Sequence, residues 1–306
     1  VCGSGIKSVM LAAQSIKAGD NQVVVAGGQE SMSNAPHYLY NYRGGVKIGD
    51  QALVDGMIKD GLWCAFCDTH MGGHAEYTAK KAAITRQRQD EFAVQSHRKA
   101  AAAQEAGKFT AEIVPVEIPG KGGSTFCSAD ESPRKDSTIE SLARLKPVFR
   151  KDGTVTAGNA PGLNDGASAL VVTSLAFAKA HGLAPLAKIT GYATGGGEPK
   201  ELFFAPILAV QTLMKKQGTT IGAYDLIEAN EAFAVQAIAD GRGLGWDWGR
   251  VNVHGGAVAL GHPIGASGAR VLTTLLYALR DRHKASGLAT LCLGGGNAVA
   301  LSVERI

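Results

Sequence analysis

The sequence predicts an α/β fold of two related halves, with a long excursion of different texture set into the first. Three observations carry this. Short apolar segments alternate with amphipathic helical ones at both ends of the chain, the pattern of a mostly parallel, helix-covered sheet. Glycine makes up 40 of 306 residues, about twice average usage and without a collagen period, which points to tight turns and close backbone approaches. Finally, a turn, helix, strand and double glycine occur near the start and again near the end, a faint internal repeat.

The elements follow in order. Gly3-Ser4-Gly5 opens a helix through Ala13, with Val9, Ala12 and Ala13 at helical spacing and Gly19-Asp20 as its stop. Val23-Val24-Val25 reads as a buried strand ending at Gly27-Gly28. From Asn34 to Gly162 the texture changes to short mixed segments around one long amphipathic helix, from Thr85 to Ala106 with Gly107 as its stop. Ile113 to Ile118 reads as a strand and residues 119–137 as an exposed loop. Regular α/β patterning then returns. Strands are expected at Ala169–Val172, Ala187–Thr190, Tyr224–Glu228, Val251–Val253, Leu288–Leu293 and Val299–Val303. Helices are expected at Ala176–His181, Glu231–Ala239 and Gly268–Arg282, the last with Val271, Leu272, Leu275 and Leu276 on one face.

Composition narrows the function. A length of 306 residues fits two or three domains, and 45% hydrophobic with 19% charged residues argues against disorder. No apolar run approaches a membrane span. A net charge of +4 is mild; it suits a small anionic ligand and does not call for nucleic acid. Five cysteines are too few for a disulfide framework, so a reducing, cytoplasmic setting is expected. The opening Val1-Cys2-Gly3 lacks Met and reads as a cut end, with any targeting sequence out of view.

Four positions hold groups suited to chemistry. Cys2 stands at a glycine-rich helix entry, where the helix dipole is expected to lower a thiol pKa and Gly3 and Gly5 to clear space for a substrate. Alone, such a cysteine is more often a small buried hydrophobe. Asn230, in Asn230-Glu231-Ala232-Phe233-Ala234, follows a strand. His262 sits in the rigid turn Gly261-His262-Pro263-Ile264-Gly265 before a helix. Cys292 ends a strand ahead of Gly294-Gly295-Gly296, whose N–H groups suit an oxyanion. Together they place two thiols, an imidazole and an amide at strand ends, where α/β folds hold ligands.

These segments, with Gly27-Gly28-Gln29-Glu30-Ser31-Met32-Ser33 and Gly255 to Arg270, resemble motifs of the thiolase family, most closely its biosynthetic acetyl-CoA acetyltransferase branch. The resemblance spans Cys2 to Ile306. It implies the thiolase fold: two similar βαβαβαββ halves in five layers, the first incomplete here, with an inserted α+β loop domain. The implied division is 1–33 with 163–183 for the first half, 34–162 for the loop domain and 184–306 for the second half. The implied chemistry is a Claisen condensation of two acetyl-CoA to acetoacetyl-CoA and CoA, with the reverse thiolysis, and no metal or nucleotide cofactor. Cys2 then resembles the nucleophile, His262 its base, and Cys292 the second acid/base. Asn230 resembles the residue that holds a water at the thioester oxygen. The N–H groups of Cys2 and Gly294 resemble an oxyanion hole.

By the same resemblance, Leu62, His70, Met71, Arg134, Ser141, Ala157, Gly158, Ala232 and Phe233 match positions that line coenzyme A. Arg134 is expected near the adenine, with Arg144, Lys146, Arg150 and Lys151 adding positive charge. Met71 resembles the acyl-pocket residue of the biosynthetic branch, and Leu202 stands at the acyl pocket. Several positions depart from the family pattern. Pro161 replaces a serine that bonds the pantetheine, and Leu202-Phe203-Phe204-Ala205-Pro206 replaces Met-Gly-x-Gly-Pro. Asn297-Ala298 and Gly73-His74 are also unusual. Homo-oligomers, dimers or tetramers, are implied.

Rival readings are a broader-chain 3-ketoacyl-CoA thiolase, an inactive scaffold, and a zinc module from Cys64-Ala65-Phe66-Cys67 with His70 and His74. The spacing to His70 is short for a zinc finger, and both histidines fall where the family lines its pocket. A decarboxylating ketoacyl synthase would pair one cysteine with two histidines, which Cys292 excludes.

Overall fold

Helix α1 (Ser4–Ala18) buries Ile6, Val9, Met10, Ala12 and Ala13 on one face and stops at Gly19, whose φ of +88° only glycine adopts readily. The computed structural model describes residues 1–306. Strand β1 (Val23–Ser31) follows. It does not stop at Gly27-Gly28 as the sequence predicts but runs through both glycines.

Between β1 and its pairing partner lies the excursion. Strands β2 (His37–Tyr38) and β3 (Val54–Asp55) pair, and a wide helical turn spans Met57–Leu62. A small hairpin joins β4 (Trp63–Cys64) to β5 (Thr69–His70). Helix α2 (Met71–Lys81) follows at once, with the His70 side chain accepting the Gly72 N–H as its cap. Helix α3 (Arg86–Glu105) starts where the sequence places it: the Thr85 side chain accepts the Arg88 N–H. The expected strand at 113 shortens to β6 (Val116–Ile118), and its partner β7 (Thr125–Cys127) lies inside the stretch read as a loop. Helix α4 (Ile139–Ala143) is a single turn held by a Thr138/Ser141 capping box.

Regular structure resumes with β8 (Asp165–Thr173), α5 (Leu175–Ala180), β9 (Ala187–Gly196), α6 (Ala205–Gln217), β10 (Leu226–Ala229), α7 (Ala234–Leu244), α8 (Ala257–Leu260), α9 (Ile264–Asp281), β11 (Ser286–Leu293) and β12 (Asn297–Arg305). The segment Val251–Val253 forms only isolated bridges rather than the expected strand. Helix α7 begins three residues later than predicted, because Glu231 to Phe233 turn before it.

The sheet is not mostly parallel. In the order β10-β11-β12-β9 only β10 and β11 run parallel. Residues Gly294–Gly296 join β11 to β12 as a hairpin, and a short connection forces antiparallel pairing. Strands β1 and β8 also pair antiparallel, from Val23↔Thr173 to Ser31↔Asp165. The repeat is therefore helix, strand, antiparallel strand: α1-β1-β8 and α9-β11-β12.

Helices α1 and α9 cross each other between the two sheets. Helix α9 packs on β1 and β8 on one side and on β10 and β11 on the other, while α6 covers the outer face of β9 and β12. The layer between the sheets joins Ile6, Val9, Met10, Val271, Leu272, Leu275, Leu291 and Leu301 in one core. At the crossing there is no room for a side chain. A Cβ on Gly5 would lie 2.2 Å from the Ala269 backbone nitrogen, and one on Gly268 would lie 2.6 Å from the Ile6 nitrogen. Gly5 therefore admits a helix rather than a substrate, and Gly3 admits the Leu293 side chain, 2.6 Å from a Cβ there. A separate core in the excursion gathers Ala75, Phe92, Val94 and Leu142 with Val235 and Ile238 of α7. No helix is long and apolar enough to cross a membrane.

The crossing gives a stability prediction. Gly5→Ala must push two backbones apart and should cost about 1–3 kcal/mol, the usual penalty of overpacking. Gly122→Ala, with nothing within 4 Å, should be near neutral. Thermal unfolding of the two variants checks this, and equal melting temperatures would remove the crossing from its role.

Candidate active site

The N-terminal ends of α1 and α9 and the C-terminal end of β11 converge on one cavity of about 880 Å³. Cys2, His262, Cys292 and Gly294 all line it. Leu293 lies against Gly3 and Gly294 against Val1, so the turn after β11 closes directly over the entry to α1.

His262 is the best determined of these groups. Its backbone N–H donates to Asn164 Oδ1 at 3.1 Å, which fixes the turn before α9. Its ring Nδ1 lies 2.5 Å from Ser267 Oγ. Ser267 Oγ donates its single proton to the Pro263 carbonyl at 2.9 Å. The hydroxyl must therefore accept at the ring, so Nδ1 carries the imidazole proton and Nε2 carries the lone pair. Asn230 Nδ2 approaches that Nε2 at 3.4 Å. Asn230 is fully buried, its N–H donates to the Thr290 carbonyl, and its Oδ1 has no partner in the chain.

Burial sets the charge state of the site. Removal from water lowers the His262 pKa to about 4, with Arg270 adding to the effect, so the imidazole is neutral at neutral pH. Burial raises the Cys2 thiol to about 11, overriding the helix-terminus effect expected from sequence. Cys292 is held well above its ordinary value, first by burial and then by Cys2. The resting site thus holds two neutral thiols and one neutral imidazole. A neutral thiol becomes an effective nucleophile only if a base takes its proton, and a neutral imidazole with a free Nε2 lone pair can accept one.

A buried carboxylate ties the surrounding loops together. Glu231 accepts from Ser96 Oγ of α3 at 2.6 Å, Asn252 Nδ2 at 2.8 Å and the Val258 N–H at 3.1 Å. It joins the excursion to the segment leading into His262. The sequence alone assigns no role to Glu231, Asn164 or Ser267. Of these only Ser267 left a local signal, a hydroxyl five residues after the histidine in a helix first turn.

Residues 1–176 match the family described as "Thiolase, N-terminal domain" and residues 183–305 match "Thiolase, C-terminal domain". The chain belongs to the thiolase family. It is 55% identical over 305 residues to an acetyl-CoA acetyltransferase of Paracoccus denitrificans, a match covering 100% of this chain and 78% of the relative. The crystal structure of the Bacillus anthracis acetyl-CoA acetyltransferase superposes with TM-score 0.97 at 44% identity, covering 100% of this chain and 77% of that one. Human mitochondrial 3-ketoacyl-CoA thiolase superposes with TM-score 0.96 at 40% identity, with the same coverage.

Within this thiolase cavity the predicted ligand residues divide into two groups. Leu62, His70, Met71, Leu202, Ala232 and Phe233 line it. His70 stacks on Phe149 at 4.8 Å, and the departing residue Pro161 also stands on the wall. Arg134, Ser141, Ala157 and Gly158 do not line the cavity. The first three are exposed, and Gly158 lies against Leu142 and Leu145. Arg144, Lys146, Arg150 and Lys151 are exposed as well.

Two measurements check the charge state. The near-ultraviolet thiolate absorbance lost in Cys2→Ala should emerge only as pH rises toward about 11, and a thiolate already present at neutral pH would refute the neutral-pair assignment. Nitrogen NMR of His262 should show a protonated Nδ1 and no charging until pH falls toward about 4. Ser267→Ala should turn that signal into a mixture of tautomers.

Proposed function

We propose that this thiolase is an acetyl-CoA C-acetyltransferase that condenses two acetyl-CoA into acetoacetyl-CoA and CoA and runs the reverse thiolysis. The observation that carries the reading is the convergence of Cys2, His262 and Cys292 on one cavity. The 55% identity to the Paracoccus denitrificans acetyl-CoA acetyltransferase supports it.

In the first half-reaction Cys2 Sγ attacks the thioester carbon while His262 Nε2 takes the thiol proton. The carbon–sulfur bond to CoA breaks, and Cys292 protonates the departing thiolate. In the second, the Cys292 thiolate removes a Cα proton from the second acetyl-CoA. The carbanion attacks the acetyl-cysteine, the new carbon–carbon bond forms, and Cys2 leaves with the proton returned by His262. Every proton taken is given back, so the residues end as they began. Coenzyme A enters only as substrate, and the steps draw on no cofactor.

Oxyanion charge develops twice. The Cys2 and Gly294 N–H groups are assigned to the acyl-enzyme oxygen, where a fixed donor contributes roughly 2.7–4 kcal/mol in comparable acyl-transfer sites. His262 and a water on Asn230 are assigned to the enolate oxygen; the unpartnered Asn230 Oδ1 supplies the acceptor such a water needs. Leu62, His70, Met71, Ala232 and Phe233 are assigned to the pantetheine and acyl end. The exposed Arg134, Ser141 and Ala157 and the half-buried Gly158 are assigned to the nucleotide end, outside the cavity. Met71, Leu202 and Phe203 make the acyl wall bulky, which favours short acyl groups. Two catalytic thiols fit a reducing, cytoplasmic setting. The exposed Val25 and Val171, neighbours across β1 and β8, offer an apolar surface for self-association as a dimer or tetramer.

Mass spectrometry after mixing with acetyl-CoA should find an acetyl group on the Cys2 peptide, and its absence from folded protein would remove Cys2 as nucleophile. Cys292→Ser should keep that adduct while condensation falls about 10²–10⁴-fold, the usual worth of a general acid or base. Thiolysis should be fastest with acetoacetyl-CoA and decline with chain length; equal rates on long 3-ketoacyl-CoAs would favour the broader-chain reading.

A further inference from the structure

We infer that Cys64, Cys67 and His74 form a zinc site beside the acyl cavity. Cys64 ends β4, Cys67 lies in the β4–β5 turn, and His74 stands on the first turn of α2. One ligand atom from each lies within 4.8 Å of the other two. A tetrahedral zinc, with bonds of about 2.3 Å to sulfur and 2.0–2.1 Å to nitrogen, sets its ligands about 3.5–3.8 Å apart. The remaining ångström falls to the two cysteines, which stand at the end of β4 and in the turn that follows it.

The histidine supplies a second, independent observation. His74 is only 2% exposed, and its Nε2 has no hydrogen-bond partner. Its Nδ1 faces the Lys200 carbonyl oxygen at 3.4 Å, and a carbonyl can only accept, so Nδ1 carries the proton. That leaves a buried Nε2 lone pair, costly without a partner and ready for a metal. A histidine that donates its other N–H to a carbonyl is the usual arrangement of a metal-ligating ring. Phe203 meets the ring edge-on and limits its rotation.

Charge and softness choose the ion. Two thiolates and a neutral imidazole around a divalent cation sum to zero, which suits a site with two buried members. Sulfur and imidazole donors select zinc over magnesium or calcium. The partly exposed Cys67 gives an entry path and leaves a fourth position to water. A Cys64–Cys67 disulfide is the competing outcome, but it would leave His74 Nε2 unpaired. In the sequence the short spacing to His70, and the place of both histidines in the family's pocket lining, argue against zinc. In the structure His70 caps α2 through its Nδ1 instead, and His74 completes the cluster.

The ion takes no part in acyl transfer. It clips the β4–β5 hairpin to α2, and those two elements carry Cys64, His70 and Met71 of the cavity wall. The test uses the whole chain. Protein reconstituted with zinc under reducing conditions should hold about one zinc per chain. Cobalt in its place should give the charge-transfer and visible bands of a tetrahedral thiolate site. Cys67→Ser should lower zinc affinity by more than the about 10–100-fold that loss of an outer partner costs, while Cys127→Ser leaves it unchanged. Bound zinc should also shield Cys64 and Cys67 of the unmodified chain from alkylation, a readout that survives even if Cys67→Ser misfolds. Three outcomes overturn the proposal: no zinc above background, zinc lost in Cys292→Ser but kept in Cys67→Ser, or a Cys64–Cys67 disulfide with no metal bound.

Discussion

The crossing of α1 and α9 is the constraint on which the site depends. Two glycines, Gly5 and Gly268, let the helix backbones meet with nothing between them. Cys2 precedes one helix and His262 the other, so the crossing brings both to the wall of one cavity. A second contact of the same kind holds the pair to the sheet: a Cβ on Gly28 of β1 would lie 2.0 Å from the Gly265 carbonyl oxygen. Gly27, Gly195 and Gly265 make backbone approaches of the same kind.

Desolvation is the second organising effect. The cavity is walled mainly by apolar side chains, and every ionisable group at its base shifts toward its neutral form. A site that takes and returns protons gains from this, because no charge has to be stripped of water when the thioester arrives. Fixed backbone donors in such a cavity act in a medium that screens them little.

Much of this was legible in the sequence, for identifiable reasons. Cys2, His262 and Cys292 stood out because glycine turns flank each of them, and turn chemistry is local. Helix α3 was readable from its Thr85 cap and Gly107 stop, which are local as well. Tertiary effects were not readable. Burial contributed by distant segments raises the Cys2 pKa against the pull of the helix terminus, and no local pattern reveals that burial. The antiparallel pairing of β1 with β8 spans the whole excursion and leaves no periodic mark. Glu231, Asn164 and Ser267 act through partners that only the fold brings near. Cys64 and Cys67 were visible as a pair, but the choice of His74 over His70 depended on which imidazole the cap of α2 had already engaged.

The way the excursion joins the frame has an evolutionary consequence. It leaves after Ser31 and returns at Asp165, two residues that face each other across β1 and β8 and are held by the Ser33–Asp165 side-chain pair. Topologically it is one very long hairpin loop on a closed stem. Loop-closure entropy rises by only about 0.6 kcal/mol for each doubling of length, so the stem is nearly indifferent to what it carries. The excursion can therefore be rebuilt or lengthened at small cost to the β1–β8 stem, and the frame that holds Cys2, His262 and Cys292 stays in place.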